Sequence, residues 1–422
     1  MSEPPPHGQA LLDALEGVPP PADRNVAVRV DRSAERAIRK GHPWLFAEGV
    51  RQESHRGAAG DLAVLFDQKR DFLAVGLYDP ESPLRVRVLH RGKPRAVDDA
   101  FFAERLEELV ARRAGLEATG TDGYRLVNGE NEGMPGLVAD RYGGVVVIKL
   151  YTPAWLPHLR RVLPALLAAQ PAEHLVLRLS RDTQRRAAEL HGLADGDVLL
   201  GADLELPVVF RENHLRFECD PVRGQKTGFF LDQRDNRARV ETLAAGCDVL
   251  NVFSYTGGFS LAAARGGARR VTSLDQSKPA LAAAERNFAL NADDPAVAAA
   301  EHELVAADAF AWLDERRREG PAYDLVVIDP PSLARRQADV PGALAAYARL
   351  VTRGLGCLRS GGTFVMASCS ARVPADDFFE LVHRVAREAG RPLDEFERTG
   401  HAPDHPVGFP QGAYLKCLFA RA

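Results

Sequence analysis

Cysteine is scarce in this 422-residue chain, and the five that occur, at positions 219, 247, 357, 369 and 417, form no CxxC pair. A zinc ribbon or a redox disulfide is therefore not expected, no metal site is predicted, and the odd, scattered set fits a reducing, cytoplasmic setting. Long apolar runs are missing as well. Nothing approaches the roughly 18–20 residues needed to cross a bilayer, and the opening MSEPPPHGQALLDALEGVPPPADR lacks the basic-then-apolar order of a secretion signal, so neither a membrane nor export is expected. Net charge is small too, at −4, and announces no polyanionic partner. The average hides a local bias: Val26 to Arg95 holds 14 Lys and Arg against 9 Asp and Glu. Such an excess suggests a basic face at that end of the chain.

What is present is enough apolar material, 45%, for two or three domains that each bury a core. Residues 1–25 are rich in proline and read as a flexible extension, with a short helix over Ala10 to Leu15. Residues 26–95 carry short strand-like pieces (VAVRV, LAVLF, FLAVGLY, LRVRVLH) cut by Gly, Pro and Asp, the pattern of a small β-barrel with one helix from Arg32 to Lys40. Residues 96–205 open with a helical segment, Asp98 to Ala114, and form a small α+β block. Its most regular piece is GLVADRYGGVVVIKLY, two strands joined at Gly143-Gly144. Residues 206–422 alternate strands and helices, which predicts an α/β domain with a mostly parallel sheet covered on both faces.

The chemistry concentrates in that last block. In CDVLNVFSYTGGFSLAAARGGARRVTSLDQS a strand (Val249 to Phe253) runs into Gly257-Gly258, a helix, a second strand and Asp275. Glycines let a backbone approach a ligand, a helix N-terminus faces it, and an acid ending the second strand binds ribose hydroxyls. The pattern is not GxGxxG. Two adjacent glycines give a short loop with no pyrophosphate cradle, which favours S-adenosylmethionine over NAD; the plainer reading is a structural turn with a solvated Asp275. Further on, the apolar strand Leu325 to Ile328 runs straight into Asp329-Pro330-Pro331, placing an acid on a stiff loop where open α/β sheets bind ligands. With the usual reversal of strand order, the strand in TFVMASCSAR ends beside both, and Cys369 neighbours Asp329. Cys369 is then either a nucleophile or a small, inert, buried thiol.

At these residues the chain resembles the bacterial S-adenosylmethionine-dependent methyltransferases that make 5-methylcytosine in large-subunit (23S) ribosomal RNA. QKTGFFLDQRDNR, NVFSYTGGFSLAAA, Asp275, DPPS and ASCS follow the order of that family's motifs, and RKGHPWLFAEGV, GDLAVLF and GLYDPESPLRVRVL are similar to its PUA-type RNA-binding barrel. The resemblance implies a Rossmann-like class I methyltransferase domain with a mostly parallel seven-stranded sheet over residues 206–422, behind a PUA-like barrel and a central α+β domain. It implies a cofactor wall from Lys226, Thr227, Gly228, Phe229 and Gln233, and a methionine side lined by Asn251, Phe253, Ser254, Tyr255, Thr256, Gly257 and Gly258. Asp275 and Gln276 would lie at the ribose, Asp308 near the adenine, Asp329, Pro330 and Pro331 at the transfer point, and Cys369 would be the nucleophile. RNA contacts would come from His42, Arg85 and Arg87 of the barrel, with Trp44 more at home in a core.

Two positions depart from the family pattern. Ser332-Leu333 stands where a Lys and an aromatic are common, and Val351 where Asn is expected; both were expected near the base pocket. The proton acceptor is left open among Asp329, Asp404 and His405. Large-subunit ribosomal RNA is the expected partner, and a homodimer stays an open option. Three other functions compete: an exocyclic-N methyltransferase of guanine or adenine that uses the Asp-Pro-Pro loop without a cysteine, a non-catalytic, RNA-binding ribosome-assembly factor, and small-molecule methyl transfer, which the RNA-type barrel disfavours.

Overall fold

A computed structural model describes residues 7–422. They divide into two compact units. The first takes the residues up to Phe210 together with Cys219–Phe229 and Asp404–Pro410; the second takes Arg211–Glu218, Phe230–Pro403 and Gln411–Ala422.

In the first unit, six strands (Val26–Val30, Trp44–Phe46, Val50–Glu53, Leu62–Phe66, Phe72–Tyr78 and Leu84–Arg91) form one sheet whose edges are Trp44–Phe46 and Val50–Glu53. Laid flat, six strands would hold their edges roughly 24 Å apart. Only the turn Ala47–Gly49 joins these two edges, and four peptide steps reach about 15 Å at most. The sheet must curl back on itself, as expected of a small barrel. Val26, Val28 and Val30 alternate inward along the first strand.

A second sheet of five strands follows, containing Gly123–Asn128, Leu137–Tyr142, Val145–Leu150, His174–Leu179 and Val198–Leu200. The expected hairpin is present, with Tyr142 paired to Val145 across Gly143-Gly144. Helix Asp99–Ala111, capped by Asp98 at Phe101 N, packs on helix Leu159–Ala169. Their apolar faces share one core with Leu77 and Leu89 of the curled sheet.

The N-terminal reading needs correction. Residues 1–6 lie outside the described residues, but a helix spans His7–Ala14, and Leu11, Leu15 and Val18 are buried in that same core. Apolar residues spaced i, i+4 and i+7 outweighed the prolines as a signal.

Also buried in this unit is His158, whose Nε2 donates to Gly60 O at 2.7 Å. Burial pushes its pKa down to about 4. Its folded value lies below the unfolded 6.5, so between those values the unfolded state binds the extra proton, and stability falls as pH drops. Lowering the pH from 7 to 5 should cost the unit about 2 kcal/mol through this residue. Urea titrations at the two pH values, with His158→Gln removing most of the difference, check it.

The second unit holds seven strands, labelled here β1 (Asp248–Val252), β2 (Arg270–Asp275), β3 (Glu301–Ala306), β4 (Tyr323–Ile328), β5 (Leu358–Ser368), β6 (Asp394–Thr399) and β7 (Lys416–Arg421). Their order across the sheet is β3-β2-β1-β4-β5-β7-β6. All ladders from β3 to β5 are parallel, and β7 runs antiparallel to both of its neighbours. Every residue of β1 is buried, as befits a strand covered on both faces. The chain steps outward from β1 to β3 and then returns to β4 on β1's other side. That reversal opens a crevice at the strands' carboxyl ends. Val252, Ile328 and Met366 stand in register there, so the segments following β1, β4 and β5 emerge side by side, as the sequence predicts.

Candidate active site

The loop after β1 is bent beyond what most side chains tolerate. Phe253, Tyr255 and Gly257 take φ values of +63°, +49° and +77°, and left-handed backbone at non-glycine residues persists only where the surroundings enforce it. They do so here. Asp275 at the end of β2 accepts Tyr255 N at 2.9 Å through one carboxylate oxygen and Ser277 N at 2.8 Å through the other. Ser254 N donates to Leu274 O at 3.0 Å, and Asn287 Nδ2 donates to Thr256 O at 2.8 Å. Asn251 is anchored from behind: its Nδ2 donates to Ser260 Oγ at 2.8 Å, and the chain continues through Ser273 to His302 Nε2.

That anchoring leaves something over. Asn251 Oδ1, Ser254 Oγ and Thr256 Oγ1 are buried without a hydrogen-bond partner among the described residues. Buried polar atoms are nearly always satisfied, so three orphans within six residues mark a place for a polar ligand. One acceptor and two hydroxyls suit an ammonium and a carboxylate, the two charged groups of a methionine moiety. Gly258 opens the helix Gly258–Arg265 at this point. Gln276 and Asp308 are exposed, Asp308 capping helix Ala309–Glu319 through Ala311 N at 2.9 Å. Gln233 is buried, with its Oε1 accepting Asn236 Nδ2 at 2.5 Å.

On the other side of the crevice, Asp329-Pro330-Pro331 leaves β4 and Cys369 leaves β5. Cys369 is half-buried, and its sulfur lies 3.8 Å from Pro330 O, within reach of a thiol donor. The serines that flank it are struts. Tyr347 OH, in helix Val340–Cys357, lies 2.8 Å from both Ser368 Oγ and Ser370 Oγ. Ser370 Oγ also accepts Leu333 N at 3.0 Å and Ala334 N at 3.4 Å, tying the loop after β4 to the loop after β5. Lys416, opening β7, donates to Ser370 O, Val373 O and Tyr414 O at 2.7, 2.8 and 3.1 Å. Local sequence gives no hint of Tyr347 or Lys416; only the strand order brings them here. Of the other cysteines in this unit, Cys357 and Cys417 read as inert: burial pushes Cys357 up to about 11 and raises Cys417, and it also raises the half-exposed Cys247.

Other predicted residues belong to the hydrophobic core or to the first unit. Val351 is fully buried in the hydrophobic core under β4 and β5, with Leu333 against it, so that helix position lines no pocket. Lys226, Thr227, Gly228 and Phe229 belong to the first unit. There Thr227 Oγ1 donates to Asp140 Oδ2 at 2.5 Å, Phe229 N to Tyr142 OH at 3.1 Å, and Lys149 Nζ to Lys226 O at 2.7 Å. Thr227 and Phe229 are buried, which removes the alternative of a solvated turn. Asp404 and His405 are buried in the same unit, where Asp404 accepts Arg125 N through its carboxylate and Arg113 Nη2 through its carbonyl. Arg113 is itself paired through both Nη atoms to buried Glu132, so Asp404 is fixed by structural contacts.

The barrel arginines are engaged by neighbouring acids, on the strand face opposite Val86 and Val88 of the barrel core. Arg87 is buried 3.9 Å from Asp79, and Arg85 packs over Tyr78 with Glu53 at 3.8 Å. Arg87 is not presented to solvent as a phosphate contact requires, whereas Arg85 keeps part of its side chain exposed. The charge excess concealed this because a count of charges does not show which of them pair, here Arg87 with Asp79 and Arg85 with Glu53. His42 and Trp44 instead join Phe46 and Phe409 in an edge-on aromatic cluster, with Phe46 40% exposed and Trp44 Nε1 donating to Glu130 at 3.2 Å.

Comparison with known proteins agrees with this geometry. Residues 125–421 match the family model of S-adenosylmethionine-dependent methyltransferases, and residues 28–91 match that of PUA-like domains. The protein is thus a Rossmann-like methyltransferase whose cofactor is S-adenosylmethionine. Two structures share the fold, each covering 94% of this chain and 100% of its own at a TM-score of 0.78: a Streptococcus mutans protein assigned as such an enzyme (22% identical), and a methyltransferase complexed with SAH (23%). Among curated relatives, the ribosomal RNA large subunit methyltransferase of Deinococcus radiodurans is 53% identical over 397 residues, 93% of this chain and 96% of the relative. The ribosomal RNA large subunit methyltransferase I of Pseudoalteromonas translucida is 35% identical over 94% of this chain and 99% of its own. The chain belongs to the ribosomal RNA large subunit methyltransferase family.

Proposed function

We propose that this enzyme forms 5-methylcytosine in large-subunit ribosomal RNA through a covalent adduct on Cys369. The observation that carries the reading is the position of the sulfur, 3.8 Å from Pro330 O in the Asp-Pro-Pro loop and at the carboxyl end of β5. Asn251, Ser254 and Thr256 would hold the methionine end of S-adenosylmethionine, and the free lone pairs of Asp275 its ribose. When bound, the cofactor supplies an electrophilic methyl group on a sulfonium.

Carbon 5 of cytosine is too weak a nucleophile to take that methyl unaided. The Cys369 thiolate forms a bond to carbon 6, and the electrons of the 5,6 double bond make carbon 5 enamine-like. Once carbon 5 carries the methyl group, a base removes its proton. The carbon–sulfur bond then breaks, restoring the double bond and the thiolate. Asp329 is the carboxylate at the end of β4 and the proton acceptor of this proposal. The target base must leave its stack to reach the crevice, and the exposed Phe46 with His42 and Trp44 offers aromatic faces for RNA on the PUA-like domain.

Nucleoside mass spectrometry of large-subunit RNA, from cells with and without the gene, tests this directly. Loss of one 5-methylcytidine is expected. Loss of an N-methylated guanine or adenine would replace the proposal with exocyclic chemistry, and an unchanged profile would favour an assembly factor.

A further inference from the structure

Lys416 is an unusual place for an ammonium group. It is 4% exposed, it lies opposite Ser368 in the β5–β7 ladder, and its three donors are all directed at backbone carbonyls. A buried lysine is costly unless its charge is compensated. Two of those carbonyls, Ser370 O and Val373 O, belong to the turn that directly follows Cys369. With every donor engaged, Lys416 is not set up to pass a proton to a substrate. It is set up to remain where it is.

We infer that Lys416 is a positioning residue for Cys369: it clamps the turn that fixes the sulfur, and its charge favours the thiolate that attacks. This rests on the proposed role of Cys369 and names the group that prepares it. Three titratable side chains are grouped here: Tyr347 on its helix and Lys416 on β7 each interact electrostatically with Cys369, and Asp329 after β4 with Tyr347. Asp329 opposes thiolate formation by like charge. Tyr347 stays a neutral phenol, its pKa raised by burial. Lys416 is the one cation among the three. Burial pushes it down to about 8, and the facing Cys369 sulfur draws it back up. At pH 7 the ammonium form still predominates, and the attraction that raises the lysine lowers the thiol equally.

The test reads the thiol itself. Iodoacetamide labelling of the full-length enzyme across pH 5–10, quantified at the Cys369 peptide with half-exposed Cys247 as internal reference, gives the midpoint of ionisation. We expect the wild-type midpoint to lie below the ordinary 8.5. Lys416→Met should raise it and slow labelling at pH 7 by about tenfold, while Lys416→Arg should recover most of the loss. A wild-type midpoint at or above 8.5 overturns the inference without any variant, as does a Lys416→Met midpoint equal to wild type. The readout does not depend on turnover. A Cys369 that proves unnecessary for methylation would sink the proposed chemistry while leaving the titration intact, so the two ideas fail separately.

Discussion

Cys369→Ala should abolish methyl transfer to large-subunit RNA, lowering turnover by on the order of 10³-fold or more, as removal of an attacking group does elsewhere. Affinity for S-adenosylmethionine should be nearly unchanged, because the orphaned polar atoms proposed to hold the cofactor belong to Asn251, Ser254 and Thr256 on the far side of the crevice. The decisive measurement combines single-turnover methylation with a trapping experiment. RNA carrying 5-fluorocytosine cannot lose a proton from carbon 5, so the wild-type enzyme should stop as an adduct that survives denaturing electrophoresis, and the alanine variant should form none. Full activity in the alanine variant would instead assign the transfer to an exocyclic nitrogen.

Gly257→Val should produce the largest loss of cofactor binding. At φ +77° a side chain is strained, and a Cβ there would stand 2.9 Å from the Cβ of Ala284, an atom that cannot swing aside. Backbone strain and overpacking together predict a destabilisation of about 2–4 kcal/mol. The displaced loop should also weaken S-adenosylhomocysteine binding at least about tenfold, since it carries Ser254 and Thr256. Gly246→Ala makes the control: its φ is +71° but nothing lies within 4 Å of the new Cβ. Urea denaturation should show only the strain for that variant, and calorimetry an unchanged affinity.

The parts of the site that were legible in the sequence are those whose chemistry is local. A strand, a glycine turn and an acid follow one another within a few dozen residues, and the Asp-Pro-Pro loop carries its own rigidity. Cys369 could be placed beside Asp329 because strand alternation implied the reversal between β1 and β4. What stayed hidden depends on contacts between distant residues. Tyr347 reaches Ser370 from 23 residues away and Lys416 from 46, and neither sits in a recognisable pattern. The arginines of the barrel misled for another reason: both faces of Leu84–Arg91 are covered, so Val86 and Val88 join the barrel core while Arg87, on the opposite face, is buried beside Asp79, a pairing invisible to a charge count. At the N-terminus, proline content suggested looseness where Leu11, Leu15 and Val18 supply a buried stripe.

The place of β7 has a consequence for the order of events during synthesis. It is made after β6 yet inserts between β5 and β6, so the strand bearing Cys369 has an open flank until residues 416–421 leave the ribosomal tunnel. A nascent chain can assemble its glycine loop early, but its thiol gains the neighbouring ammonium only at that late stage. On the proposed mechanism, chains truncated before Lys416 should therefore fail to methylate ribosomal RNA.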